Sequence, residues 1–166
     1  MAAQRVNVPR PTWSSLHADG LSDTELGVVA HSLLEEVRVA RDWPHVRAHL
    51  LGRWSMGDDD KAKVVAWIDH VLAQPASARF FDDDLAHVER EAAWTDGADT
   101  LRPDRVVFDG ACWHVVDFKT GVARPAKHHA QVRAYMKVLS ALETGPVRGW
   151  VLYLDPWSLE EVAAEV

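Results

Sequence analysis

Apolar residues recur along this chain with two different periods, and the change of period divides it. From Ser22 to about Arg41, Leu26, Val29, Ala30, Leu33 and Val37 follow helical spacing, so one stripe of a helix faces a core. Ser22-Asp23-Thr24-Glu25 supplies a capping box at its start. Asp42-Trp43-Pro44 breaks the pattern. Two more helices are expected over residues 45–55 and 58–73. The second buries Val64, Val65, Ile68, Val71 and Leu72, and Asp58, Asp59 and Asp60 suit the positive end of its first turn. From residue 87 the pattern becomes that of strands. Residues 87–94, 105–108 and 113–119 are rich in β-branched and aromatic side chains. A helix over about 126–142 buries Val132, Tyr135, Met136, Leu139 and Leu142. Residues 147–154, apolar almost throughout, predict a strand buried on both faces. Asp155-Pro156 ends it, and a short acidic helical tail is expected beyond. The order of helices, three strands, helix and strand makes this an α/β chain. Residues 1–20 read as an irregular segment with a packing strand, anchored by Trp13. Residues 21–166 read as a single domain, with a helical part over 21–85 and an αβ core over 86–155.

The chemistry concentrates in Leu101 to Gly121. Asp109-Gly110 lies between two strand patterns and predicts a two-residue hairpin turn. Phe108 then lies opposite Ala111 and Asp104 opposite Val115. Asp104, Asp117 and Lys119 fall on one face, with the two acids diagonal neighbours roughly 7 Å apart at Cβ. A four-residue loop keeps that parity, and a three-residue loop breaks it. Two carboxylates at this separation reach one divalent cation, and a hard ion such as Mg²⁺ takes oxygen ligands of this kind. A lysine beside them can hold a water and neutralise charge on a phosphodiester. The same spacing also suits a solvated surface hairpin.

Pro103-Asp104 followed by Asp117-Phe118-Lys119 resembles the PD-(D/E)xK nuclease superfamily. The longer pattern is RPDRVV, VVDFKTG, Gln131-Val-Arg-Ala-Tyr135 and an upstream Gly27-x-x-x-His31-x-x-Leu34-Glu35. It resembles the nuclease domain of RecB/AddA-type helicase-nucleases and covers roughly residues 20–155. The resemblance implies a restriction-endonuclease-like αβββαβ core, with a mixed central sheet flanked by helices and an N-terminal helical subdomain. It implies Mg²⁺, with Mn²⁺ as a substitute, held by His31, Asp104, Asp117 and the backbone carbonyl of Phe118. Lys119 would position or deprotonate water, and Glu91 would orient it, with Glu89 the second choice for that role. Gln131 and Tyr135 would lie beside the site. Lys127, His128 and Arg133 make the start of the last helix basic, which suits contacts to DNA phosphates. Gly27, one turn before His31, is expected to leave open space beside the imidazole.

Composition narrows this reading. The chain has 166 residues and 48% apolar content, enough for one cored domain. Cys112 is the only cysteine, so neither an internal disulfide nor a four-cysteine iron–sulfur cluster can form. No apolar run is long enough for a membrane span, and no signal segment opens the chain, so a cytoplasmic protein is expected. No phosphate-binding Gly-rich loop ending in Lys-Ser/Thr is present, so no ATP motor is recognisable. The formal charge of −7 is unusual for a tight DNA binder. It points to a helicase motor, in cis or in trans, that delivers single-stranded DNA or DNA ends. The expected activity is exonucleolytic hydrolysis in DNA end processing. Two other readings exist: a catalytically silent DNA- or partner-binding module of the same fold, and a structure-specific endonuclease.

Overall fold

The computed structural model describes residues 3–6, 20–90, 92–95, 97 and 100–164. A two-residue strand, β1 (Gln4–Arg5), precedes the first helix, α1 (Asp23–Glu36). Ser22 caps α1 as its sequence dictates. Its hydroxyl accepts the Glu25 amide at 3.3 Å, and Glu25 accepts the Ser22 amide at 2.9 Å. The helix ends at Glu36, about a turn short of the predicted Arg41. Val37 turns extended and is buried, and the carbonyls that a continuing helix would use are occupied by arginine side chains from the sheet. After a 3₁₀ turn at Ala40–Asp42 come α2 (Trp43–Leu51) and α3 (Asp58–Ala73). The acidic run Asp58–Asp60 does sit in the first turn of α3, and Asp60 also accepts the Leu21 amide at 3.0 Å. A four-residue helix, α4 (Pro75–Ala78), leads to a 3₁₀ turn at Arg79–Phe81.

The strands follow. The single strand expected over residues 87–94 is two: β2 (His87–Arg90), and β3 (Trp94–Thr95), which leaves the main sheet to pair with β1 and with β4 (Thr100–Leu101). Next are β5 (Arg105–Phe108), β6 (Trp113–Lys119), α5 (Pro125–Leu142), β7 (Val147–Leu154) and β8 (Trp157–Val162). The main sheet has the order β2-β5-β6-β7-β8, antiparallel except for the parallel pair β6–β7 that α5 connects. This is a mixed sheet flanked by helices, as the α/β reading requires. β8 replaces the expected helical tail. Leu154 pairs with Trp157, so Asp155-Pro156 is a tight turn rather than a stop. Trp157 and Leu159 pack inward, while Glu160 and Glu161 give the edge strand its charge and bond His129 and Arg148.

Strand alternation sorts the core into two clusters. Val107, Val116, Phe118 and Leu152 face α1 and α3, with Leu26, Leu33, Val64 and Ile68. Val106, Val115, Val151 and Tyr153 face α5, with Val132, Met136 and Leu139. Each helix reaches the sheet through a glycine. A Cβ on Gly27 of α1 would lie 2.1 Å from Thr120 Oγ1, just past β6. A Cβ on Gly149 of β7 would lie 2.4 Å from Met136 Sδ and 2.5 Å from Val132 Cγ1 of α5. The space expected beside Gly27 is therefore filled by Thr120. Among the described residues no helix is long and apolar enough to cross a membrane.

Candidate active site

The β5–β6 hairpin sets the site's register. Phe108 pairs with Trp113 and Arg105 with Val116, so the loop is residues 109–112, four residues rather than two. Asp109 builds that loop. Its Oδ1 accepts the amides of Ala111 at 2.9 Å and Cys112 at 2.8 Å, and Gly110 takes a positive φ of 94°. The longer loop moves the ladder by two positions and preserves parity. Continued one step past Arg105, the register sets Asp104 level with Asp117 instead of Val115.

Asp104, buried at the entrance to β5, is held by the chain it faces. Its Oδ2 accepts the amide of Phe118 at 2.6 Å. The same oxygen lies 2.8 Å from His31 Nε2 of α1. Glu35, one helical turn beyond His31, brings Oε1 to 3.6 Å from that nitrogen. His31, Glu35 and Asp104 each offer one ligand atom, all within 4.8 Å of one another. Asp117 is 1% exposed, and its Oδ2 lies 2.6 Å from Lys119 Nζ. On the α5 side, Gln131 Nε2 donates to the buried Tyr135 hydroxyl at 2.5 Å.

The charges in this cluster act on one another. Burial disfavours the His31 imidazolium, but Asp104, Glu35 and Asp117 outweigh it and raise the ring to about 9. Burial and the charge of Asp104 push Asp117 up, against the pull of Lys119 and His31. Burial, then the negative charge of Asp117, raises the Tyr135 phenol, which places its hydroxyl in the field of the acids. His31 Nε2 and Asp117 Oδ2 are buried at ion-pair distance from their neighbours, yet neither makes an aligned hydrogen bond. The carboxylate oxygens of Glu35 and Asp104 and the imidazole nitrogen of His31 form a donor set that could hold a divalent metal ion.

Other residues singled out in the sequence fall differently. Glu91 and Trp13 lie outside the described residues. Glu89, the second choice, is level with Val106 and bonds Arg5 Nε at 2.8 Å. Lys127 is exposed at the start of α5, and Arg133 is half-buried one face away. His128 is buried and shares a 2.9 Å hydrogen bond with the Tyr153 hydroxyl. Glu35, given no role in the sequence reading, is brought within reach of His31 and Asp104. Its signal was its place one turn after His31 on the same stripe, but its use depends on where β5 lies.

Fold and cluster together define a class: a mixed α/β domain that gathers two carboxylates and a lysine from neighbouring strands beside a helix-borne imidazole. The family model of the PD-(D/E)XK nuclease superfamily matches residues 4–165, and the chain belongs to that superfamily. Its members are generally nucleases that work with divalent metals, so the domain is one that engages nucleic acid. A search among curated proteins returned no match.

Proposed function

We propose that this domain is a metal-dependent DNA exonuclease of the RecB/AddA type, acting on single-stranded DNA or DNA ends brought to it by a helicase motor. One observation carries the reading: Asp104, Asp117 and Lys119 of the β5–β6 hairpin converge with His31 of α1. Asp104, Asp117, His31 and the Phe118 carbonyl would hold Mg²⁺ or Mn²⁺, with Glu35 within reach of the same space. When bound, such an ion supplies positive charge to the phosphodiester and acidifies a water. Lys119, kept beside Asp117, orients that water and takes up or neutralises charge as attack proceeds in line with the leaving oxygen. Glu91 is assigned to orienting the water. Gln131 and Tyr135 form a hydrogen-bonded wall beside the acids and position Lys119 or the strand. Lys127 and Arg133 contact phosphates. The net charge of −7 fits a domain that leaves strand delivery to a motor.

The deciding experiment follows linear and circular single-stranded DNA with Mg²⁺, with Mn²⁺ and with EDTA, for wild type and Lys119→Ala. Metal-dependent loss of linear DNA alone, abolished in the folded mutant, is expected. Cleavage of circles would make the enzyme an endonuclease. No cleavage by folded wild type, with or without an added helicase, would favour a silent binding module.

A further inference from the structure

Arg105 is fully buried at the start of β5 and has no carboxylate partner among the described residues. Its guanidinium is spent on carbonyls instead. Nε donates to Phe80 at 2.6 Å, one terminal nitrogen to Val37 at 2.8 Å and the other to Arg38 at 2.5 Å. The plane also lies 4.0 Å from the centre of the Phe81 ring. Arg90, directly opposite Arg105 in the β2–β5 ladder, donates to the carbonyl of Glu36 at 2.6 Å. Three successive carbonyls at the end of α1 are thus taken by two arginines that face each other across strands. Like charges in that position ordinarily repel, and burial, then the charge of Arg90, lowers the hold of Arg105 on its proton. What they share is the run of carbonyls where α1 ends, the first of which, on Glu36, belongs to the helix's negative pole.

Asp104 immediately precedes Arg105. Two consecutive residues, Asp104 just before β5 and Arg105 at its start, therefore reach α1: the acid meets His31, and the base bonds the Val37 carbonyl at the helix's C-cap. We propose that Arg105, backed by Arg90, is a positioning residue that fixes α1 along β5 so that His31 and Glu35 meet Asp104. It touches no reacting atom. This inference rests on the reading of His31 and Asp104 as cation ligands.

The test is Mn²⁺ affinity, followed by electron paramagnetic resonance, in the whole chain. Arg105→Lys keeps the charge and cannot reach all three carbonyls. It is expected to fold and to bind Mn²⁺ about tenfold more weakly, the scale seen when the support of a metal ligand is lost. In a His31→Ala background the same change should cost less than about twofold, because the clamp then has little left to position. A folded Arg105→Lys protein with wild-type affinity overturns the proposal, and so does a full tenfold loss in the His31→Ala background. If Arg105→Lys does not fold, wild type answers the question. Binding of Mg²⁺ should slow solvent exchange of the Arg105 guanidinium protons in NMR spectra, since coupling between the two contacts is reciprocal. Exchange unchanged at saturating Mg²⁺ overturns the proposal. Asp104→Asn serves as the control. Wild type that binds neither ion, or Asp104→Asn that binds like wild type, defeats the cation site itself. Loss in Asp104→Asn without loss in Arg105→Lys defeats only the clamp.

Discussion

The two faces of the main sheet are covered by helices that are secured at different points. On one face, α5 begins at Pro125 without a side-chain cap, seats Val132 and Met136 on Gly149, and bonds the Tyr153 hydroxyl and Glu160 through His128 and His129. On the other, α1 is capped by Ser22 at its start and gripped by Arg90 and Arg105 at its end, with its own Gly27 set against Thr120. The difference follows from what each helix delivers. α5 brings the neutral pair Gln131 and Tyr135, which tolerate small slips. α1 brings His31 and Glu35, which the proposed function sets against Asp104 as cation ligands. Both helices pack on the sheet through apolar residues, and what sets α1 apart is that arginines of the sheet bond the carbonyls at its end.

The strongest challenge to this contrast is chemical. Asp117→Ala or Lys119→Ala should lower cleavage about 10³-fold with the circular dichroism spectrum intact, because each removes a group that acts on developing charge. Tyr135→Phe, on the packed face, should cost far less in the same assay. The glycines separate the faces next. Gly149→Ala drives a methyl into Val132 and Met136 and should destabilise the fold by about 1–3 kcal/mol in urea melts. Its Mn²⁺ affinity should hold. Gly27→Ala should cost less stability, since alanine gains about 1 kcal/mol of helix propensity, yet it should weaken Mn²⁺ binding by moving α1 off Thr120. Thr120→Ala in the same chain should restore part of that affinity.

Smaller effects test the ends of α1 and the hairpin. Ser22→Ala should cost about 1 kcal/mol through the lost cap, read as a shift in the urea midpoint, whereas Pro125→Ala on α5 should be near neutral. Asp109 is held down to about 2 by its hydrogen bond to His114, then by the amides of Ala111 and Cys112. A carboxylate lowered by folding stabilises the fold above its unfolded value near 3.8. That contribution fades as pH falls toward 2. Urea midpoints of wild type should therefore drop more steeply between pH 4 and pH 2 than those of Asp109→Asn.

The sequence made the strand faces legible because alternation is local. Val106 and Val107 had to part company whatever lay above them. The convergence of Asp104 and Asp117 was legible for the same reason, since a loop of two or four residues gives the same parity. The exact opposition was not, because Asp109-Gly110 signals a turn without revealing that Asp109 would wrap Ala111 and Cys112 as well. β8 was hidden by Glu160 and Glu161, which read as a solvated helix until a strand edge is there to need charge. Arg105 read as one more basic strand residue. Its burial depends on three carbonyls up to 68 positions away, and no local pattern carries that.

The adjacency of Asp104 and Arg105 also bears on how this chain can change length. One residue inserted or deleted between Arg105 and Phe108 would turn a guanidinium toward the acids and a carboxylate toward the end of α1, so a single-step change there is expected to disrupt the site. The loop at 109–112 is freer, since it can shorten or grow by pairs of residues and still return β6 to the same face. Descendants of this sequence would thus vary the hairpin tip in even steps and leave the strand before it uncut.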